Sequence, residues 1–203
     1  MREITSVDQL TALVGEPLPR VANKARPFLH DLDRQWLAAS PFCLIATSAA
    51  DGTCDVSPKG DPPGFTLVLD SGTIAVPDRP GNRRVDGWHN ILSNPHVGLL
   101  YLIPGRGDTL RINGRARLLA DAPYFDRLIV NGHRPQIVMQ VDIDEVFHHC
   151  AKAFLRSSLW DPSTWDPASV ATRPAIAKAL ERPEDPLPEL ERYYGPAYAA
   201  NLY

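Results

Sequence analysis

Between residues 42 and 119 the chain alternates short apolar runs with turn signals, and this alternation leaves little choice of fold. "FCLIATS" and "TCDVSP" flank "AADG", with Asp51-Gly52 at the turn; "FTLVLD" and "TIAVP" flank Ser71-Gly72; "VGLLYLI" and "TLRINGRARLL" flank "PGRGD". Each pair reads as a β-hairpin. Links this short join antiparallel neighbours, because a parallel crossover needs a dozen residues or more. "QIVMQVDI" adds a seventh strand. The class is mainly β with peripheral helices, and tandem hairpins favour an antiparallel barrel over a doubly wound parallel sheet. Most strands are apolar on both faces, so little of the sheet is expected to face water.

Helical periodicity occupies the remainder. In "SVDQLTALVGEP", Ser6 and Gln9 form a capping box, Leu10, Leu13 and Val14 an apolar stripe, and Gly15 a stop. A helix over about 32–39 ends at Ser40-Pro41. "NRRVDGWHNILSNP" predicts a short helix with Asn82 as N-cap, Arg83 and Arg84 in its first positions, and a stop at Asn94-Pro95. "DAPYFDRLIVNG" predicts another, capped by Asp121, and "DEVFHHCAKAFLRSSLW" a last one, capped by Asp144. The chain divides into an N-terminal helical extension (1–40), a barrel (41–160) and a wrapping tail (161–203) that holds many of the 20 prolines.

Composition removes several functional classes. A formal charge of −3 and a pI near 6.0 argue against a dedicated nucleic-acid surface. No apolar run approaches the roughly 20 residues of a membrane span, and the start lacks the apolar core of a secretory signal, so a cytoplasmic protein is expected. Cys43, Cys54 and Cys150 lie outside any CxxC pattern and are expected to be buried, reduced thiols. The sequence contains no GxSxG, no phosphate-cradling GxxxxGK[ST], no HExxH and no GxGxxG after a strand. His148, His149 and Cys150 would point about 100° apart on a helix, which disfavours a shared metal ion.

Arg83 and Arg84 contradict a local preference. A helix N-terminus carries about half a positive charge and favours acids. An anion bound there, on free N–H groups and two guanidiniums, reverses the sign of that conflict; snorkelling into solvent, or pairing with Asp78 and Asp86, is the plain alternative. Lys59 follows a strand in a Pro-Lys-Gly turn. Arg111, Arg115 and Arg117 share a strand face, and Lys152 and Arg156 share a helix face, where solvent exposure accounts for them as well as a ligand does.

These residues resemble the FMN-binding split β-barrel flavoproteins of the pyridoxamine 5′-phosphate oxidase type. The likeness covers residues 41–143 and is most specific in "PDRPGNRRVDGWHNILSNPHVGLLYLI" followed by Gly114-Arg115-Ala116. The resemblance implies an antiparallel split barrel holding FMN at a homodimer interface. Asn82, Arg83 and Arg84 match the triplet on the FMN phosphate, and Lys59 matches a lysine near the flavin. Val56, Ser57 and Pro58 match the strand along the ring, while Val76, Pro77 and Asp78 match the strand end beside the ring and ribityl chain. Thr109 stands where a flavin-contacting glutamine is common. His149, Lys152 and Arg156, with Trp160, make a candidate lip. Cys54 replaces an arginine of the vitamin B6 oxidases, and their C-terminal Arg-x-His signature is missing, so vitamin B6 oxidation itself is not expected. The implied function is an FMN-dependent oxidoreductase of a small molecule, with NAD(P)H as a candidate donor. A flavin- or haem-binding carrier or sensor, or a deazaflavin reductase, are the alternatives.

Overall fold

The computed structural model describes residues 1–200 and 202–203. Seven strands build one sheet: β1 (Phe42–Ser48), β2 (Cys54–Gly60), β3 (Leu67–Val68), β4 (Thr73–Pro77), β5 (His96–Leu102), β6 (Thr109–Leu119) and β7 (Val138–His149). Their order is β2-β1-β5-β6-β7-β4-β3, and every pairing is antiparallel. The three hairpins close as the turn signals require, at Ser48↔Cys54, Val68↔Ile74 and Tyr101↔Leu110. Long-range pairings then join them, with β1 against β5 and β4 against β7. The two halves also meet where no backbone ladder exists. Lys59 Nζ lies 2.6 Å from Asp78 Oδ1, and Arg79 Nε lies 2.6 Å from Asp61 Oδ2, tying the end of β2 to the end of β4. The fold is an antiparallel split β-barrel with peripheral helices.

Ile45, Ile74, Val76, Leu99, Tyr101, Leu110, Ile112, Val141 and Val146 fill the interior. Each large side chain contributes roughly 1.5–3 kcal/mol by leaving water. The buried Tyr101 hydroxyl accepts a hydrogen bond from Thr66 Oγ1 at 3.1 Å, so its oxygen is not stranded. Gly114 sits beside a register shift in β6, where an added Cβ would come within 2.3 Å of Asp142 O. The glycine of the Gly-x-Ala signature is there because two backbones approach too closely for a side chain.

β2 departs from the expectation that little of the sheet faces water. It is an edge strand: Asp55, Ser57 and Lys59 are half-buried, while Cys54, Val56 and Pro58 are exposed. Edge position is what allows Pro58 within a strand. Lys59 belongs to this strand rather than to a turn after it. The thiols also divide, for Cys43 is buried while Cys54 and Cys150 are exposed, and all three are free. Burial pushes the Cys43 thiol up to about 12, against the opposing pull of Lys59.

Among the helices, α1 (Val7–Val14) has Ser6 Oγ accepting from Gln9 N at 3.2 Å and Gly15 at φ 81°. The return bond of the capping box comes from Thr5 N instead of Ser6 N. After the single turn of α2 (Pro19–Ala22), α3 (Asp31–Ala39) is capped by His30 and buries Trp36 and Leu37. Two expected helices give way to tertiary structure. Residues 144–149 continue β7, because β6 is eleven residues long and pairs with it out to Thr109↔His149, leaving only α5 (Lys152–Ser157) helical. Residues 121–132 form just a 3-10 turn, Phe125–Leu128, whose two apolar ends are buried beside Ala75 and Val138. Asn131 and Gly132 then turn the chain at φ 48° and 79°. In the tail, α6 (Arg173–Leu180) and α7 (Leu187–Tyr193) bury Ala177 and Leu190, and Tyr193 contacts Tyr194 and Tyr198.

Candidate functional site

The helix expected to start at Arg83 is shorter. It runs Asp86–Ser93, with Val85 at its N-cap. This is α4, between β4 and β5 in chain order. Asn82 does not cap it: its Oδ1 accepts from Arg84 N at 2.9 Å, and Arg83 takes the left-handed φ of 63°. That tight turn lifts both arginines out of the helix, at a backbone cost of order 1–3 kcal/mol. The first helical position is Asp86, the charge that the dipole prefers. Arg84 Nε donates to Asp86 Oδ2 at 2.5 Å, as the plain alternative had it for that residue. Arg83 is exposed and makes no ion pair among the described residues. The earliest helical bonds run from Trp88 N and His89 N to Val85 O, so the N–H groups of Asp86 and Gly87 have no helical acceptor.

The helix start opens on a cleft of ≈720 Å³. Its walls are Ile45 and Thr47 of β1, Ser57 and Lys59 of β2, the turn of residues 78–84, Val85, Gly87 and Trp88, and the loop of residues 132–137. This volume lies within the range of small-molecule and cofactor sites. Its lining combines cationic groups, among them Lys59, Arg79 and Arg83, with the apolar Ile45, Ile137 and Trp88. Lys59, besides its pair with Asp78, lies 4.4 Å from the centroid of the Trp88 ring. Arg79 is held by Asp61 and by Leu128 O at 2.9 Å, and Arg134 by Asp121 and Asp126 at 2.6 and 2.7 Å. Among the described residues of the cleft, these acids leave Arg83 as the arginine without an ion pair, while Arg84 is in one exposed pair. A second cavity of ≈220 Å³ shares Lys59, Arg79 and Gly81 with the first, and adds Pro58, Asp61, Phe65 and Pro77.

The residues singled out in the sequence therefore separate. Ser57, Lys59, Asp78, Asn82, Arg83 and Arg84 share the large cleft, and Pro58 and Pro77 the small cavity. Val76 is wholly enclosed in the core and Val56 is on the exposed face of β2, so strand alternation removes both side chains from the cleft. Thr109 and His149 are cross-strand partners on β6 and β7, and Lys152 and Arg156 lie on α5; none of the four lines the cleft of its own chain. His148 and His149 are on a strand, where neighbours point to opposite faces. His148 Nε2 lies 3.0 Å from Asp33 Oδ1, whereas His149 packs on Phe147, and burial with Arg111 and Lys24 lowers its pKa. Among the described residues no cluster of His, Cys, Asp and Glu is arranged to hold a metal ion.

Trp88, Arg79 and the 132–137 loop were not anticipated as site residues. Trp88 reads as one more member of an apolar helical stripe. Arg79 stands in the same basic stretch, "PDRPGNRR", and that was a usable signal. The loop had none, since it reaches the cleft through a long-range bond, Asp78 N to Ile137 O at 2.9 Å.

The family described as pyridoxamine 5′-phosphate oxidase has a model that matches residues 29–150. Among curated proteins none matches significantly. Solved structures with a similar fold include HupZ of Group A Streptococcus, at 17% identity and TM-score 0.48, covering 59% of this chain and 93% of that one. A candidate pyridoxamine 5′-phosphate oxidase of Lactobacillus delbrueckii has 23% identity and TM-score 0.48, covering 61% and 98%. An FMN-binding protein of Syntrophomonas wolfei has 11% identity and TM-score 0.44, covering 59% and 90%.

Proposed function

The chain belongs to the pyridoxamine 5′-phosphate oxidase family, and from that premise we propose that it is an FMN-dependent oxidoreductase of a small molecule. One observation carries the reading: a single cleft is lined by Arg83 without an ion pair, by Gly87 at a helix start, and by Lys59 over the Trp88 ring. A flavin mononucleotide has groups that match each of these. Its phosphate would be held by Arg83, Arg84 and the N–H groups of Asp86 and Gly87. Its ring would take the side bounded by Ile45, Ser57, Lys59 and Trp88. Bound FMN supplies acceptance and return of a hydride, which no side chain here provides.

The residues of the chain bind, orient and exclude water. Lys59, fixed by Asp78 and resting on Trp88, brings a positive charge to the ring side and favours electron-rich ligands there. Asp78 prevents that lysine from swinging into solvent, and Ile45 and Ile137 keep the wall dry. Thr109, His149, Lys152 and Arg156 stand apart from the cleft, so a role for them at the cofactor requires a homodimer in which the second copy presents them. NAD(P)H as donor and a cytoplasmic setting belong to the same proposal.

The test is titration of the purified protein with FMN and with riboflavin, followed by anaerobic reduction with NADH or NADPH. FMN should bind at least tenfold more tightly than riboflavin, since the phosphate makes the charge-assisted contacts, and should cycle between reduced and oxidised forms. Equal affinity for the two flavins would overturn the phosphate site. FMN that binds but never turns over would indicate a carrier, and a deazaflavin or haem identified by mass as the copurified chromophore would displace FMN.

A further inference from the structure

Where β6 begins and β7 ends, the sheet gathers cations around one aromatic ring. Arg111 and Phe147 are cross-strand partners, as are Thr109 and His149, so alternation puts Arg111, Glu145, Phe147 and His149 on one face. Arg111 Cζ lies 4.4 Å from the centre of the Phe147 ring. Lys24 Nζ, from the segment before α3, lies 4.5 Å from the same centre. The His149 ring packs on Phe147 at 4.9 Å, and Lys152 follows at the start of α5.

Attraction to the ring accounts for either cation alone, but two like charges at one ring repel each other. The acid on this face does not offset them. Glu145 is shared between Arg111 Nη2 at 3.2 Å and Asn113 Nδ2 at 2.8 Å. Lys24 donates to a carbonyl, His148 O at 2.8 Å, and neither Lys24 nor Lys152 makes an ion pair among the described residues. Arg111 Nε is buried with no hydrogen-bond acceptor among them, and a buried donor left unmatched is costly. Two titratable neighbours respond to the excess charge. Burial, then Arg111 and Lys24, lower the His149 pKa; the Lys152 N–H, then the charges of Lys152 and Lys24, lower that of the exposed Cys150 thiol.

We propose that Lys24, Arg111 and His149, around Phe147, bind the phosphate group of a small molecule other than the flavin. Lys24, Arg111 and Lys152 stand against the single carboxylate of Glu145, and a phosphate dianion offsets that excess where a carboxylate offsets only part of it. Its oxygens also offer Arg111 Nε–H an acceptor, in the charge-assisted geometry that guanidinium and phosphate favour. None of these residues lines the cleft of its own chain, so the site stands whether or not the cleft holds a flavin. Binding and protonation are linked: an anion here favours the charged imidazolium of His149 and disfavours the thiolate of Cys150.

The experiment uses the full chain carrying Cys54→Ser, so that Cys150 is its exposed thiol. The His149 ring is titrated by NMR, and the alkylation of Cys150 by iodoacetamide is timed. Both are measured in inorganic phosphate and in chloride at the same ionic strength, without FMN and with FMN in excess. Phosphate should raise the His149 midpoint by about half a pH unit or more and slow alkylation roughly threefold. Both responses should persist in excess FMN. They should fall by at least half in Arg111→Gln and in Lys24→Met, the second of which leaves the strand pairing untouched. Equal values in phosphate and chloride would overturn the site. Responses that excess FMN abolishes would assign the cluster to the flavin itself and overturn a separate ligand. Full responses in Lys24→Met would place the anion away from Phe147 and overturn the assignment as well.

Discussion

Arg83 and Arg84 differ in what a ligand must undo. Arg83 has no acid to leave, whereas Arg84 must give up Asp86. Arg83→Ala should therefore weaken FMN binding about tenfold or more, and Arg84→Ala by a smaller factor. Asp86→Asn should tighten FMN binding, because it frees Arg84 and removes a negative charge beside the phosphate, while leaving riboflavin unaffected. Fluorescence titration of both flavins checks all three, and an unchanged FMN affinity in Arg83→Ala would place the phosphate elsewhere. Lys59→Met should leave FMN bound but slow its anaerobic reduction by a competent donor; stopped-flow reduction at the wild-type rate would remove Lys59 from the chemistry. The sequence puts Asn82, Arg83 and Arg84 at a helix start, whereas they form a turn before it. An Asn side chain bonding to the backbone two residues on, with the next residue at positive φ, is a turn as much as a cap, and periodicity does not distinguish them.

The clearest dependence between elements is the tie between α3 and β7. The Asp33 side chain, 1% exposed, accepts from Arg26 at 2.8 and 3.1 Å and from His30 N at 2.8 Å, and lies 3.0 Å from His148 Nε2. Arg26 itself bridges to Val146. Burial alone would raise the Asp33 pKa, but the Arg26 and His30 bonds and His148 outweigh it and hold the carboxyl below its ordinary value. A depressed carboxyl contributes stability that is present above the unfolded-state pKa, near 3.9, and is lost as pH falls through the lower folded value. Asp33→Asn should cost about 3 kcal/mol at pH 7 by leaving Arg26 unpaired, and should flatten the loss of stability below pH 4. Thermal melts of both proteins at pH 7, 5 and 3 measure this; parallel acid profiles would show that Asp33 is not the responsible group. None of these partners is near Asp33 in a local pattern except His30, which is why the tie was not legible.

The proposed homodimer belongs to the scale of the whole molecule. Sedimentation of the FMN-bound protein at micromolar concentration should give about twice 22.4 kDa. A monomer with FMN bound would leave Thr109, His149, Lys152 and Arg156 with no cofactor to reach and would reduce the site to the cleft of one chain. A dimer should instead be sensitive to charge changes around His149 on β7, where Lys24 and Arg111 both lie over the Phe147 ring.

By itself the sequence determined the three hairpins, the turns that close them, the antiparallel class and the basic stretch from residues 79 to 84. All depend on contacts a few residues apart, where Gly, Asn, Asp and alternating apolar side chains act directly on the backbone. Only the tertiary structure decided the sheet order, because β1 against β5 and β4 against β7 have no signature in either partner alone. The same limit explains residues 144–149, whose helical spacing was overruled by the free edge of an eleven-residue strand. It also explains the cleft. Lys59 with Asp78, and Asp61 with Arg79, meet because a split barrel brings the ends of β2 and β4 together. Charges that distant in sequence are paired by closure of the fold, and no local preference records it.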